Sequence, residues 1–258
     1  MNILALANQK GGCGKTTTAV NLAGALAARG ERVCLIDLDP QAHATLALSV
    51  AVEPGERSLA DVLLRGTSLR ETLRAAPGGI VLVPSTLELS EFEEAAGRTL
   101  HPERVLAQAL NEIASDHDFA VLDCPPRSDG VLTANAVRAA DVLVLVVEMG
   151  AFALQGAVRT VQIFEDLTSE MEVRPELRVV GTLFDRKAEI ARELLVATQA
   201  RFGRKLFDTV VHQSTRLREA AASGVPVQVL DPLSRAARDF EALAEEVCRL
   251  TVPSPVHA

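Results

Sequence analysis

The feature that most constrains this chain is a glycine-rich stretch, KGGCGKTTT, at residues 10–18. It follows a short apolar run, NILALAN, at residues 2–8, and it leads into residues 17–29, where apolar side chains recur at helical spacing. A strand, a glycine loop and a helix in this order turn backbone N–H groups inward onto phosphate oxygens. The sequence therefore predicts a phosphate-binding loop within an α/β fold. An ordinary glycine turn before a helix is the alternative.

The loop departs from the standard spacing of such motifs. The pattern G-x-x-x-x-G-K-[ST] asks for a glycine at position 9, where this chain has Gln9, and a second lysine, Lys10, stands at the mouth of the loop. We expect Lys15 to reach the β- and γ-phosphates of a nucleotide, and the Thr16 hydroxyl to bind the Mg²⁺ that bridges them. The expected phosphate cradle consists of Gly11, Gly12, Cys13, Gly14, Lys15, Thr16 and Thr17.

Further apolar runs suggest the rest of the sheet. They are continuous rather than alternating, which is typical of strands buried on both faces of a parallel sheet. The runs lie at 32–37, 80–83, 119–123, 142–147, 179–184 and 207–211, and helical patterns fall between most of them, notably at 103–114, 131–139, 153–168 and 187–202. The alternation predicts a doubly wound, mostly parallel α/β sheet with helices on both faces. We expect a single domain over 1–250 and a loose tail over 251–258, TVPSPVHA.

Three aspartates follow two of the apolar runs. LIDLDPQ at 35–41 places Asp37 and Asp39 after one run, and FAVLDCPP at 119–126 places Asp123 after another. Ligands of open α/β sheets bind beyond the carboxyl ends of the strands, so we expect these carboxylates beside the phosphate loop. Asp123 would hold Mg²⁺ directly or through water, Asp39 would orient the attacking water, and Asp37 would support the metal's water or the loop. The candidate metal-site residues are therefore Thr16, Asp37, Asp39 and Asp123. The alternative is capping of strand ends by aspartate.

Composition excludes several classes of protein. Hydrophobic residues make up 48 % of the 258 residues, which argues against disorder, and no apolar run approaches the length of a membrane helix. The N-terminus lacks the features of a secretory signal, so we expect a cytoplasmic protein with reduced thiols. None of the four cysteines forms a C-x-x-C pair, which argues against zinc and dithiol redox chemistry. The net charge of -8 argues against a uniformly basic nucleic-acid binder.

KGGCGKTTT, DLDPQ and DCPP, in this order and at this spacing, resemble the ParA/Soj branch of the deviant Walker A ATPases, which are relatives of MinD. FALQG at 152–156, STRLREAAASGVPV at 214–227 and DPLSRAARDF at 231–240 extend the resemblance over nearly the whole chain. The resemblance implies an ATPase that binds ATP and Mg²⁺, forms a homodimer on ATP, hydrolyses ATP slowly under stimulation by a ParB-like adaptor, and segregates plasmid or chromosome DNA. It also implies a catalytic set of Lys10, Lys15, Asp39 and Asp123.

The resemblance gives Lys10 a role in the dimer. It implies that this lysine crosses to the partner subunit and contacts the partner's nucleotide, where a cation supplied in trans offsets the facing phosphate charges. Without the resemblance, Lys10 would be interpreted as an exposed lysine at the edge of a loop.

A basic span suggests where DNA would bind. Residues 174–218 contain ten basic and five acidic residues, a net +5 in a chain of -8. The resemblance implies that basic residues of this half bind double-stranded DNA without reading its sequence, as in a nucleoid-associated protein. The chain has no Trp and no Tyr, so we expect contacts with the phosphate backbone rather than base stacking. A solvated helix face is the alternative. The candidates are Arg186, Lys187, Arg216, Arg218 and Arg238.

Other functions within the same ATPase group were compared. A membrane-positioning ATPase like MinD needs a basic amphipathic C-terminal helix, which TVPSPVHA lacks, so no membrane partner is expected. A metal-cluster carrier needs cysteines at the dimer interface, and Cys124 has no suitably spaced second cysteine. A protein cargo, such as a microcompartment or a chemoreceptor array, stays open.

The chain departs from the family pattern at two sites. Ala42 and His43 stand where related chains commonly have Gly-Asn, and Arg127 follows DCPP in a segment that is one residue longer than usual. Both departures touch switch regions, so the hydrolysis rate and its stimulation are in question. His43 is either a pH-sensitive group or a plain polar loop residue.

Overall fold

A computed structural model describes residues 1–98, 100–150 and 152–250. Its strands are β1 (Asn2–Ala7), β2 (Val33–Asp37), β3 (Arg74–Ala76), β4 (Ile80–Val83), β5 (Phe119–Asp123), β6 (Val142–Glu148), β7 (Glu176–Phe184) and β8 (Leu206–His212). They form an eight-stranded sheet in the order β3-β4-β2-β5-β1-β6-β7-β8. Every pairing is parallel except that of β3 with β4. The predicted mostly parallel sheet is confirmed.

Helices cover both faces of this sheet, as predicted. They are α1 (Lys15–Ala28), α2 (His43–Ala47), α3 (Leu59–Arg65), α4 (Leu89–Ala95), α5 (Val105–Leu110), α6 (Val131–Ala139), α7 (Ala153–Thr168), α8 (Glu189–Phe202), α9 (Thr215–Ala222), α10 (Val227–Leu230) and α11 (Arg235–Arg249). Alternate residues of a strand point to opposite faces, so Ile3 and Ala5 join one apolar core while Leu4 and Leu6 join the other. The first core packs α3 to α8, and the second packs α1, α2 and α9 to α11.

Several boundaries differ from the sequence-based expectation. The helix predicted over 103–114 is α-helical only in α5, with 3₁₀ turns at Pro102–Arg104 and Asn111–Ile113. Helix α1 begins at Lys15 rather than at residue 17, because the Gly14 carbonyl already accepts a hydrogen bond from the Thr18 N–H at 2.8 Å. The predicted tail, 251–258, lies outside the described residues, and the single domain over 1–250 stays a prediction.

The register of the sheet fixes where the site lies. Asp123 pairs with Leu6 of β1 and with Asp37 of β2, so the ends of these three strands are level. The glycine loop leaves β1 at this carboxyl edge, next to both aspartates.

Helix α11 is amphipathic, but its apolar face is occupied. Phe240, Leu243 and Val247 are buried in the core that α11 shares with α1. Within the described residues, no helix combines the length and the apolar character needed to cross a membrane.

Candidate nucleotide-binding site

The loop between β1 and α1 is held in an open, glycine-dependent shape. Gly12 and Gly14 have φ angles of 74° and 89°, in the left-handed region that disfavours any residue with a Cβ. Thr182, at the end of β7, holds the loop from outside, because its hydroxyl donates a 2.7 Å hydrogen bond to the Cys13 carbonyl. From inside, Lys15 Nζ donates to the Lys10 carbonyl at 3.1 Å.

A cavity of about 520 Å³ opens above this loop. This volume lies in the range of small-molecule and cofactor sites. The loop glycines, Lys15, Thr16, Thr17 and Asp39 line it, so the structure brings these predicted residues together. Residues outside the motifs also line it: Val20 and Asn21 of α1, the helix that follows the loop, and Ala47, Leu183, Leu217, Ala221 and Val225, which come from more distant and mostly apolar segments.

Asp123 is fully buried at the edge of the loop. Neither of its oxygens has a hydrogen-bond partner among the described residues. Burial raises the pKa of Asp123 well above its usual value, and the charge of Asp37 raises it further. The Thr16 hydroxyl and the Lys15 charge act in the opposite direction, although the hydroxyl makes no hydrogen bond of good geometry to this carboxyl group. Burying an unpartnered carboxylate destabilises the folded protein unless a cation compensates the negative charge.

Asp37 and Asp39 have different surroundings. Both Asp37 oxygens accept hydrogen bonds from the segment that follows β2: Oδ1 from the Asp39 N–H at 3.1 Å, and Oδ2 from the N–H at 2.8 Å and the hydroxyl at 2.7 Å of Thr45 in α2. Burial raises the pKa of Asp37 to about 6. The Asp39 carboxylate accepts a single 2.9 Å hydrogen bond from the described residues, donated by the Gln41 N–H, and Asp39 lines the cavity. Asp37 therefore shapes the loop that presents Asp39.

These carboxylates do not form a metal cage by themselves. In residues 1–98, 100–150 and 152–250, no group of three or more His, Cys, Asp or Glu is arranged to hold a metal ion. A site built from one hydroxyl and one or two carboxylates instead suits Mg²⁺, which takes its other ligands from phosphates and water.

Lys10 leaves the loop mouth with its side chain 42 % exposed, and its Nζ lies 2.5 Å from Glu148 Oε2 of the same chain. The Lys10 backbone is fixed by Asn8, whose Oδ1 accepts from the Lys10 N–H at 3.1 Å and whose Nδ2 donates to the Val146 carbonyl at 2.7 Å. The sequence analysis did not identify Glu148.

The basic span 174–218 does not form one surface, which corrects the expectation drawn from its net charge. Arg174 and Arg178 lie at the amino end of β7, and Arg204 and Lys205 precede β8. The nine residues of β7, about 30 Å of strand, separate these groups from the carboxyl edge. Four of the five predicted DNA-binding residues belong to that edge: Arg186 and Lys187 in the loop after β7, and Arg216 and Arg218 on α9.

The five candidates also differ in how free they are. Arg186, Lys187 and Arg218 are exposed, and their side chains make no ion pair with any described residue. Arg216 is paired with Glu219 at 2.7 Å and with Asp231 at 3.1 Å. Arg238, on α11, donates to the Leu233 carbonyl at 2.8 Å.

The departures from the family pattern have visible consequences. Ala42 adopts a left-handed φ of 55°, a conformation that glycine takes without strain. Arg127 is exposed, and its Nε lies 3.9 Å from Asp129 Oδ1. His43 is exposed and lines the cavity.

Two cysteines near the site are buried. Burial raises the pKa of the Cys124 thiol, which is only 1 % exposed and does not present its sulfur at the surface. Cys13 is completely buried in the loop, and burial raises its thiol pKa as well.

Comparisons with known proteins agree with this geometry. A family model described as "AAA domain" matches residues 1–179. The Caulobacter vibrioides chromosome partitioning protein ParA is 35 % identical, over 96 % of this chain and 94 % of that protein. The Thermus thermophilus chromosome-partitioning ATPase Soj is 39 % identical, over 95 % and 94 % respectively.

A solved structure gives the same match in three dimensions. The Mycobacterium smegmatis protein described as cobyrinic acid a,c-diamide synthase with bound ADP and magnesium superposes with a TM-score of 0.84 and 26 % identity, over 96 % of this chain and 94 % of that one.

The parallel sheet, the glycine loop between β1 and α1, and the aspartates at the neighbouring strand ends define a P-loop nucleotide-binding protein of the deviant Walker A type. Within that class, the chain belongs to the ParA/Soj family of ATPases.

Proposed function

We propose that this protein is a partition ATPase that dimerises on Mg²⁺-ATP, binds DNA nonspecifically as that dimer, and releases it when a ParB-like adaptor stimulates hydrolysis, so that plasmid or chromosome DNA is segregated on the nucleoid. The observation that carries the proposal is the Asp123 carboxylate, which is buried beside an open glycine loop with no hydrogen-bond partner among the described residues. The similarity to ParA and Soj over nearly the whole chain supports the partition role.

The residues of the cavity fit ATP and Mg²⁺. Mg²⁺ bound with the nucleotide would supply positive charge that offsets the negative charge of the phosphates. Thr16 and Asp123 would hold the Mg²⁺, since the buried Asp123 oxygens accept no hydrogen bond from the described residues and are suitable ligands for the ion or its water. Asp39 is presented to the cavity and would orient the attacking water, while Asp37 positions the loop through its bonds to Asp39 and Thr45. Lys15 and the loop N–H groups would bind the phosphates.

Lys10 would complete the site of the partner subunit. Two nucleotides that face each other across a two-fold axis carry several negative charges, and a lysine from each subunit offsets them. Lys10→Ala should abolish ATP-driven dimerisation and stimulated hydrolysis, while nucleotide binding persists within a few-fold. Sedimentation velocity with ATP measures this directly, and a variant that dimerises like the wild type would refute the role of Lys10.

Asp39 would act in hydrolysis rather than in binding. Asp39→Ala should form a stable ATP dimer, because ATP is bound but not turned over. Phosphate release and sedimentation on the same sample separate the two steps. Unchanged turnover would count against Asp39 as the group that orients water.

DNA would bind at the carboxyl edge beside β7 and β8. Arg186, Lys187 and Arg218 are the main candidates, because they are exposed and unpaired among the described residues, whereas Arg216 and Arg238 already have contacts. The Arg186→Glu, Arg218→Glu double variant should lose DNA binding and keep the ATP dimer.

The matched control reverses two basic residues of the same span at the opposite edge. The Arg201→Glu, Lys205→Glu double variant changes the net charge by the same amount as the Arg186→Glu, Arg218→Glu variant. Its DNA affinity should fall only by the small amount that the change in net charge causes. Equal loss in both double variants would contradict a local DNA surface.

A further inference from the structure

Glu148 and Lys10 meet because of the sheet register. Strands β1 and β6 pair Ala7 with Leu145, and Lys10 and Glu148 each lie three residues further along, so both emerge at the same level of the carboxyl edge. Their charged atoms are 2.5 Å apart. Asn8 ties the Lys10 backbone to β6 through the Val146 carbonyl. The fold therefore places the two side chains together.

The turn after β6 makes room for the glutamate. The Gly150 N–H donates to the Glu148 carbonyl at 2.9 Å, which folds the chain back under the side chain. A Cβ at position 150 would lie 3.0 Å from Glu148 Oε1 and 3.2 Å from its Cδ, closer than side chains ordinarily approach. The Glu148 carboxylate occupies space that is left by a glycine, and it stays 28 % exposed.

The position of Glu148 is unfavourable for a phosphate site. Glu148 lies beside the start of the glycine loop, with its Oε2 2.5 Å from Lys10 Nζ, and its charge adds a small part to the rise in the pKa of the Cys13 thiol, which burial mainly causes. A carboxylate beside a phosphate-binding loop repels a bound triphosphate unless a cation neutralises the carboxylate. Within one chain, Lys10 supplies that cation.

We propose that Glu148 is the intrachain counterion of Lys10 and sets the threshold for dimerisation. The inference rests on the proposed function, in which Lys10 reaches the partner's nucleotide. One ammonium cannot keep a 2.5 Å contact with its own Glu148 and extend across the interface, so it must exchange one anion for another. Formation of a dimer breaks two Lys10–Glu148 ion pairs, one in each subunit. Each broken pair leaves a Glu148 carboxylate without its counterion. Glu148 thereby disfavours dimerisation until the γ-phosphate of the partner's nucleotide competes for Lys10.

Glu148→Gln tests this exchange, because it keeps the shape of the side chain and removes its charge. The dissociation constant of the dimer is measured by sedimentation with a non-hydrolysable ATP analogue, so that turnover plays no part. Partly exposed ion pairs contribute about twofold to fivefold each, so two pairs predict a dimer about fourfold to 25-fold tighter. Glu241→Gln, on the exposed face of α11, makes the same charge change and should leave the dimer unchanged. Thermal unfolding of each variant checks that it is folded.

A second measurement does not depend on dimerisation. At concentrations where the protein is monomeric, Lys10→Ala should weaken binding of a fluorescent ATP analogue by a few-fold, because it uncovers Glu148. The Lys10→Ala, Glu148→Gln double variant should regain that affinity. If Glu148→Gln rescues nothing, Glu148 is not the counterion and the inference is wrong.

The outcomes separate this inference from the function on which it rests. If the wild type dimerises with ATP and Lys10→Ala does not, but Glu148→Gln dimerises no more tightly than the wild type, then the exchange is refuted and the partition ATPase stands. A weaker Glu148→Gln dimer would also refute it, since Glu148 would then aim Lys10 at the partner. A wild type that stays monomeric with ATP would overturn both.

Discussion

Asp123→Asn should make the protein more stable while it disables the site. The carboxylate is fully buried, and neither oxygen has a hydrogen-bond partner among the described residues, so the amide loses no contact and removes a charge. An uncompensated buried charge costs about 3–5 kcal/mol, and Lys15 offsets part of this, so we expect a gain of about 2–4 kcal/mol at pH 7. For a chain of this size, that corresponds to a rise in Tm of roughly 5–15 °C.

The sign of the pH dependence follows from the direction of the shift. Burial raises the folded-state pKa of Asp123 above its unfolded value, so its contribution to stability is fully present below the unfolded pKa and is lost as the pH rises through the folded pKa. Asp37, with its pKa raised to about 6, adds a loss of the same sign between about pH 4 and 6. The advantage of Asp123→Asn should therefore be largest near neutral pH and small near pH 4.

The assay is thermal unfolding in EDTA without nucleotide, from pH 4 to pH 7.5. Asp129→Asn, an exposed carboxylate in the following loop, is the control and should behave like the wild type. Adding Mg²⁺-ATP should raise the Tm of the wild type more than that of Asp123→Asn. A variant that is no more stable than the wild type at pH 7, or that gains as much at pH 4, would refute the electrostatic argument.

Three further predictions concern the loop and its surroundings. Thr182→Val removes the hydrogen bond to the buried Cys13 carbonyl and should lower the free energy of unfolding in urea by about 1–3 kcal/mol, whereas Thr182→Ser should retain most of it. Ala42→Gly relieves the strain of a left-handed backbone and should raise the free energy of unfolding by up to about 1 kcal/mol. Cys13 and Cys124 should resist iodoacetamide at pH 7.5 in the folded protein, as measured by mass spectrometry, because burial raises both thiol pKa values; rapid labelling would contradict this.

The sheet was predictable because its signals are local. Continuous apolar runs such as FAVLD and VLVLVV belong to strands buried on both faces, and the glycine loop fixes where β1 ends. Strand β3 was not predicted, since three residues at an antiparallel edge carry no periodicity. Helix α2 has only five residues, and its start depends on the left-handed Ala42. Helices α9 to α11 were noted only as segments of family resemblance.

Only the phosphate-binding part of the site was predictable from the sequence. The glycine loop and the strand-end aspartates are each recognised from a single local motif. The sequence alone therefore indicates that they lie at the carboxyl edge of the sheet. Leu183 and Leu217 line the cavity from distant segments and carry no chemical signal. The contact between Lys10 and Glu148 joins residues that are far apart in sequence and requires the register of β1 against β6. The net charge of span 174–218 was a poor guide to a surface for the same reason. Proximity in sequence does not show that the length of β7 separates the basic residues at one edge of the sheet from those at the other.

ATP should convert this protein into a nonspecific DNA binder. The most direct test is DNA binding by the purified protein with ATP, with ADP and without nucleotide, on unrelated duplexes and across a salt series. We expect binding only with ATP, equal on every sequence, and falling steeply with salt because several phosphates are neutralised. Binding that is independent of nucleotide, or no binding in any state, would contradict the account.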